Sequence, residues 1–149
     1  TGPQGPVGPQ CPPRTGGLAA SYGSFYTVGD ITLPENAAFP FLETITAQGI
    51  TIDSSAEIIK LQNTGIYRID YGVIPISSNY YDIVSVYLNG TEIPGTRLSL
   101  ENNYMTSVPA IIPATAGSTL SIQIASSTPV RFWNEADGII GYLVIHQIA

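Results

Sequence analysis

The chain opens on a pattern that admits few conformations. Residues 2–10 read Gly2-Pro3-Gln4, Gly5-Pro6-Val7 and Gly8-Pro9-Gln10, with glycine at every third position and proline after each. Three polyproline strands wind around one axis only if the residue at that axis has no side chain, and proline pre-sets the φ angle each strand must hold. Residues 1–10 are therefore expected to be a collagen-like tract, with a Pro/Gly-rich linker as the rival reading. Cys11 stands where the next glycine is due and ends the repeat. Residues 11–17, Cys11-Pro12-Pro13-Arg14-Thr15-Gly16-Gly17, read as a joint that is stiff and then flexible. Cys11 is the only cysteine, which rules out an intrachain disulfide. A cross-link between chains and an unreacted thiol are its two readings.

From Leu18 the pattern changes. Short runs rich in Ile, Val, Tyr and Thr recur between clusters of Gly, Pro, Asn and Ser, and no stretch of ten residues keeps a helical period. Residues 18–149 are expected to form one all-β head, with strands near 19–27, 29–33, 38–46, 49–53, 56–61, 65–76, 81–89, 91–96, 97–101, 104–112, 118–126, 129–133 and 138–148. Pro40, Pro75 and Pro109 fall inside three of these runs and demand sheet edges or bulges there. Asn89-Gly90 is the clearest turn, because a two-residue type I′ hairpin wants positive φ at both central positions. Many short strands with punctual turns point to a sandwich or barrel.

Alternation then separates two kinds of strand. Tyr67, Ile69, Tyr71 and Val73 share one face against Arg68 and Asp70, and Leu120, Ile122 and Ile124 oppose Ser121 and Gln123. Each such strand has one dry side. The last strand has two apolar sides: Ile139, Leu143 and Ile145 on one, Ile140, Tyr142, Val144 and Ile148 on the other. The second side needs cover beyond the sandwich, most economically another copy of the chain, so Ile140, Tyr142, Val144 and Ile148 are the expected interface residues. A collagen stem requires three chains, and a homotrimer is the matching assembly.

Composition agrees and excludes much else. Only 11% of residues are charged while 44% are hydrophobic, against about 25% charged in an average domain. With five Lys+Arg against eleven Asp+Glu, a net charge of −6, no basic stripe exists to neutralise a nucleic-acid backbone. The longest apolar run, Ile139–Ile145 broken by Gly141, is far shorter than the roughly 20 residues that cross a bilayer, so no membrane insertion is expected. His146 is the only histidine. No G-x-S-x-G, phosphate-binding loop or H-E-x-x-H occurs, and the expectation is no enzyme, no catalytic residue, no cofactor and no metal.

The residues also carry a resemblance. Phe39-Pro40-Phe41, Thr64-Gly65-Ile66-Tyr67-Arg68-Ile69, the stretch Val86-Tyr87-Leu88-Asn89-Gly90-Thr91-Glu92-Ile93-Pro94-Gly95-Thr96, and the closing Gly141-Tyr142-Leu143-Val144-Ile145 follow directly on a collagen tract. In this, residues 18–148 resemble the C-terminal head of BclA-type collagen-like glycoproteins of the bacterial spore surface (exosporium), within the tumour necrosis factor and complement-head superfamily. The resemblance implies a TNF-like jelly-roll β-sandwich, trimeric about a threefold axis and capping a collagen filament. It also implies an extracellular location, on a spore or a surface appendage. The expected function is a structural trimerisation head that nucleates the triple helix and presents the outer surface. The alternative is an adhesin or receptor-binding tip that recognises a host surface protein or glycan.

Three further features have competing readings. Asn134-Glu135-Ala136-Asp137-Gly138 offers oxygen ligands for a hard cation, but an acidic turn explains the same residues. Asn89-Gly90-Thr91 matches an N-glycosylation sequon and equally matches the turn. Tyr80-Tyr81, Tyr104 and Phe132-Trp133 are candidates for a sugar- or protein-binding surface, or else for strand-end core and trimer contacts.

Overall fold

A computed structural model of the chain describes residues 2–6, 8 and 20–149. Residues 2–6 and 8 adopt neither helix nor strand and lie exposed. Among the described residues the head is all-β, with thirteen strands numbered β1 to β13 along the chain and one 3-10 turn at Pro94–Thr96. Five form the first sheet, in the order β10 (Thr106–Ala114), β6 (Gly65–Val73), β13 (Ile139–Gln147), β1 (Tyr22–Val28) and β3 (Glu43–Gln48). The second sheet runs β4 (Ile50–Ile52), β5 (Ile59–Leu61), β11 (Thr119–Ala125), β7 (Ile83–Leu88) and β8 (Thr91–Glu92), with β9 (Leu98–Ser99) also on β7. A two-stranded ribbon of β12 (Val130–Trp133) and β2 (Asp30–Leu33) closes one side.

The two large sheets face each other across one core. Tyr67, Ile69, Tyr71, Leu143 and Ile145 point in from the first, and Ile59, Val84, Val86, Leu120, Ile122 and Ile124 from the second, all buried. The alternation legible in β6 and β11 is the alternation observed. Tyr71 carries its polar tip inside, where its hydroxyl donates to the Thr96 carbonyl at 2.5 Å, and burial pushes its pKa well above the usual phenol range.

The run expected as a strand at 38–46 is instead a loop followed by β3 from Glu43. Phe39 and Phe41 are fully buried, and Phe39 meets Phe41 and Phe132 with ring centroids 5.2 Å apart in each pair. The loop finds its hydrogen bonds outside a ladder. Phe39 N–H donates to the Ile122 carbonyl, Phe41 N–H to that of Ala56, and the buried Thr27 hydroxyl donates to the Pro40 carbonyl while accepting from Leu42 N–H. Pro40 has no N–H to give, so it interrupts the strand where it sits. Pro109 lies in β10, an edge strand of the first sheet, and Pro75 makes only an isolated bridge to Phe132.

The chain enters the head beside its own C terminus, since Ala20, Asn63, Thr64, Gln147 and Ala149 line one cavity. The 89–90 hairpin lies at this same end, sharing a cavity with Thr64 and Ser118. β6 starts here at Gly65 and runs the length of the sandwich, so the loop that follows it, 74–82, sits at the opposite pole.

Candidate functional site

Directly opposed residues in an antiparallel ladder share a face, and the registers of the first sheet therefore define its outer surface rung by rung. One rung joins Ser107, Gly72, Tyr142, Tyr26 and Glu43. The next joins Pro109, Asp70, Val144, Ser24 and Thr46, and a third Ile111, Arg68, His146, Tyr22 and Gln48. No element of the chain covers this surface among the described residues. Its large apolar side chains stand in water: Ile45 is 70% exposed and Ile111 64%, and Tyr22, Val28, Ile139 and Val144 are each exposed by more than a third.

The surface is shaped as well as apolar. Ile45, Tyr26, Ile139, Tyr142 and Val144 border a shallow groove of about 360 Å³ on the β3 side. Tyr142 is kept low there because Gly72 beneath it has no side chain: a Cβ on Gly72 would stand 2.6 Å from Tyr142 Cε1 and 2.8 Å from Met105 Sδ. On the other half, Ile111 projects from the edge strand β10. Two pairs of polar side chains on the face bond each other. Arg68 Nε donates to Asp70 Oδ2 at 3.1 Å, and the Tyr22 hydroxyl donates to Gln48 Oε1 at 3.0 Å. His146 stands between Arg68 and Tyr22 on this open face.

Of the four residues expected to form an interface, Tyr142 and Val144 lie on this face, and Ile148 is exposed just past β13, where its N–H donates to the Ile66 carbonyl. Ile140 does not belong with them. It is fully buried in the chain's own core, and Ile139 takes the outward place. The cause is a β-bulge: the β1 ladder pairs Thr27 with Gly141 but Val28 with Ile139, leaving Ile140 unopposed. One extra residue reverses sidedness, so strict alternation carried past Gly141 assigns both isoleucines to the wrong faces. Ile45 and Ile111 were not singled out from sequence. Ile111 had a signal, since it alternates with Pro109 and Pro113 on one side of β10 while Ile112 and Ala114 on the other are buried.

The remaining candidates fall elsewhere. Asn89 and Gly90 take φ of +52° and +80° between the paired residues Leu88 and Thr91. The Asn89 amide is committed to the structure, accepting from Thr119 N–H at 2.9 Å and donating to Ser118 Oγ at 3.3 Å, which leaves it poorly placed as a glycan acceptor. Asn134 uses its oxygen to accept from Ala136 N–H and its nitrogen to donate to the Ile139 carbonyl, so the 134–138 segment is a self-bonded turn. Among the described residues no group of three His, Cys, Asp or Glu converges, and no helix is long and apolar enough to cross a membrane. Phe132 is core and Trp133 half-buried, whereas Tyr80, Tyr81 and Tyr104 are exposed. Cys11 lies outside the described residues.

Comparison with known proteins bears on fold and family. The architecture is similar to GITRL of pika, with a TM-score of 0.55 and 16% identity over 87% of this chain and 96% of that one. It is also similar to the TNF protein Eiger of S. frugiperda, with a TM-score of 0.61 and 12% identity over 88% and 92% of the two chains. The globular domain of zebrafish complement 1qA matches with a TM-score of 0.60 and 8% identity over 87% and 98%. At such identities these likenesses establish a TNF-like and complement-head-like jelly roll. The comparison with curated proteins found no match. The family model of the BclA C-terminal domain matches residues 24–148, nearly the whole head. The chain belongs to the BclA C-terminal domain family.

Proposed function

We propose that this chain is the trimerising head of a collagen-like filament on the surface of a bacterial spore, or on a comparable cell-surface appendage, and that its role is structural rather than enzymatic. The observation that carries this reading is the uncovered apolar face of the five-stranded sheet. A threefold ring is built from heterologous contacts, in which two different patches of one chain meet. The face offers two such patches, the groove bordered by Ile45, Ile139, Tyr142 and Val144, and the projecting edge at Pro109 and Ile111. Seating the edge of one copy in the groove of the next buries both, at about 1.5–3 kcal/mol for each large apolar side chain fully removed from water. Ile148 extends the same interface toward the end where the stem enters. Cys11, at the junction of stem and head, is placed in the sequence to cross-link neighbouring chains once they are gathered.

The test is assembly. Light scattering is expected to give a trimer mass for the wild-type chain at micromolar concentration. Tyr142→Glu is expected to give a monomer, because an unpaired charge buried at an interface costs about 3–5 kcal/mol. Thr51→Glu, on the exposed side of the opposite sheet, leaves the trimer intact. A monomeric wild type, or equal behaviour of the two variants, removes the interface. A second reading, an adhesive tip for a host surface protein or glycan, is favoured by one feature only: Tyr80 and Tyr81 are exposed at the pole away from the stem.

A further inference from the structure

Tyr80 and Tyr81 occupy the centre of a turn built to hold them out. Asp82 N–H donates to the Asn79 carbonyl at 3.0 Å, closing the turn, and Asn79 N–H donates back to the buried Asp82 Oδ2 at 2.7 Å. Asn79 Nδ2 also donates to Thr128 Oγ1 at 2.8 Å, and Leu100 N–H donates to the Asp82 carbonyl at 2.9 Å. One step earlier, Ser78 N–H and Oγ both donate to Asn102 Oδ1 at 2.7 Å. The turn is thus pinned on several sides, yet the two rings stand out from it against each other, 87% and 86% exposed, with centroids 4.9 Å apart and planes at 89°.

These rings wall a cavity of about 440 Å³ whose other borders are Ile83, Ser99, Leu100 and Glu101. The Glu101 carboxylate forms no ion pair among the described residues, and no Lys or Arg lines the cavity. Aromatic faces and a carboxylate around one opening select for a cation, and a planar, weakly hydrated guanidinium suits both, since it stacks on a ring and forks onto a carboxylate. The chain contains that arrangement already completed. At β12 and β2, Arg131 stacks over Trp133 with its Cζ 5.5 Å from the ring centroid, while Nε and Nη2 donate to Asp30 at 2.8 and 2.6 Å. The Tyr80–Tyr81–Glu101 site has the aromatic and the acid and lacks the arginine.

We propose that the Tyr80–Tyr81–Glu101 cavity at the distal pole is a docking site for an arginine side chain on the surface of a partner protein. The net charge of −6 favours the approach of a basic partner. The proposal is separate from the assembly reading, because the site lies within one chain and is tested on a monomeric or trimeric head alike.

The probe is N-acetyl-arginine amide, titrated into the wild-type chain while the Tyr80 and Tyr81 ring resonances are followed by NMR at low salt. Saturable shifts confined to these rings and the Glu101 side chain are expected. N-acetyl-citrulline amide, which keeps the shape and loses the charge, is expected to bind at least fivefold more weakly, and N-acetyl-lysine amide at least threefold more weakly. Tyr80→Ala with Tyr81→Ala is expected to weaken binding at least tenfold, the corresponding Phe pair less than twofold, and Glu101→Gln about threefold with a flatter salt dependence. None of these side chains fills the core, so the variants should keep the wild-type backbone spectrum. Equal binding of the citrulline or lysine probe overturns the proposal. So does stronger perturbation by methyl glucoside, which would make this a sugar-facing surface, or arginine binding that survives the double Ala variant.

Discussion

At single residues, what the fold requires is set by which atoms approach without a side chain between them. Gly141 is the clearest position: a Cβ there would collide with Phe39 Cε1 and Cζ, and Phe39 is the ring that joins Phe41 to Phe132. A buried aromatic held from both sides has no room to retreat, so Gly141→Ala is expected to destabilise the head by about 1–3 kcal/mol, the usual cost of an overpacked core. Gly95 has nothing within 4 Å of its added Cβ and does not take a positive φ, so Gly95→Ala is expected to be close to neutral. Thermal melting of the two variants beside the wild type checks the pair. Similar shifts for both would mean that Phe39 repacks, and the aromatic cluster would then be softer than its geometry implies. Nothing about Gly141 in the sequence announces this role, because Phe39 is distant in the chain and reaches it only through the loop that Pro40 keeps out of the ladder.

At the level of elements, regular alternation was legible and its interruptions were not. Every strand of the head has a counterpart among the short β-rich runs, since their punctuation by Gly, Pro and Asn is local chemistry. The inward residues of β6 and β11 follow directly from period two. Alternation loses its meaning where the ladder skips a residue, and the bulge at Ile140 depends on pairing with β1, more than a hundred positions away. Pro109 pointed to an edge or bulge in β10, but only the sheet order shows that it is an edge and that Ile111 is left exposed beside it. The partners of individual carboxylates were equally hidden. Arg131 hydrogen-bonds Asp30 across the β12–β2 ribbon, Arg97 does the same to Glu92 beyond β8, and the Ser55 hydroxyl followed by the Ile58 N–H does so for Asp53. Each interaction holds its carboxyl below the ordinary value, 3.8 for Asp and 4.5 for Glu. A depressed folded-state pKa contributes stability above the unfolded value and forfeits it as pH falls through the folded one. The melting temperature is therefore expected to hold from neutral pH to about 4.5 and to decline below it, modestly because Asp30 and Asp53 are solvent-exposed and Glu92 only half-buried. Asp30→Asn combined with Glu92→Gln should flatten that decline. An unchanged acid limb in the double variant would place the acid sensitivity elsewhere.

For the whole molecule, the question is which part gathers the chains. Three Gly-Pro-X triplets hold no internal hydrogen bonds, and each triplet adds little beyond the conformational entropy it must give up. The head has the larger driving force, because its uncovered sheet face can bury apolar surface at roughly 25 cal/mol per Å². Once three heads are joined, three stems are tethered side by side, and winding them becomes an intramolecular event at high effective concentration. Ala20 and Ala149 line one cavity at one pole of the sandwich, while Tyr80 and Tyr81 stand exposed at the other. On the proposed assembly the expected order is head first and stem second. A chain whose Gly-X-Y tract is lengthened to a stable triple helix is expected to regain its collagen circular dichroism quickly after melting when residues 18–149 are attached. The tract alone should refold far more slowly and with a steep concentration dependence, since three free chains must then meet in register. Tyr142→Glu in the attached head should slow the stem to the rate of the isolated tract without altering the stem itself. Equal refolding rates with and without the head would remove its nucleating role and leave the exposed Tyr80–Tyr81 pole as the feature of the head with a function to explain.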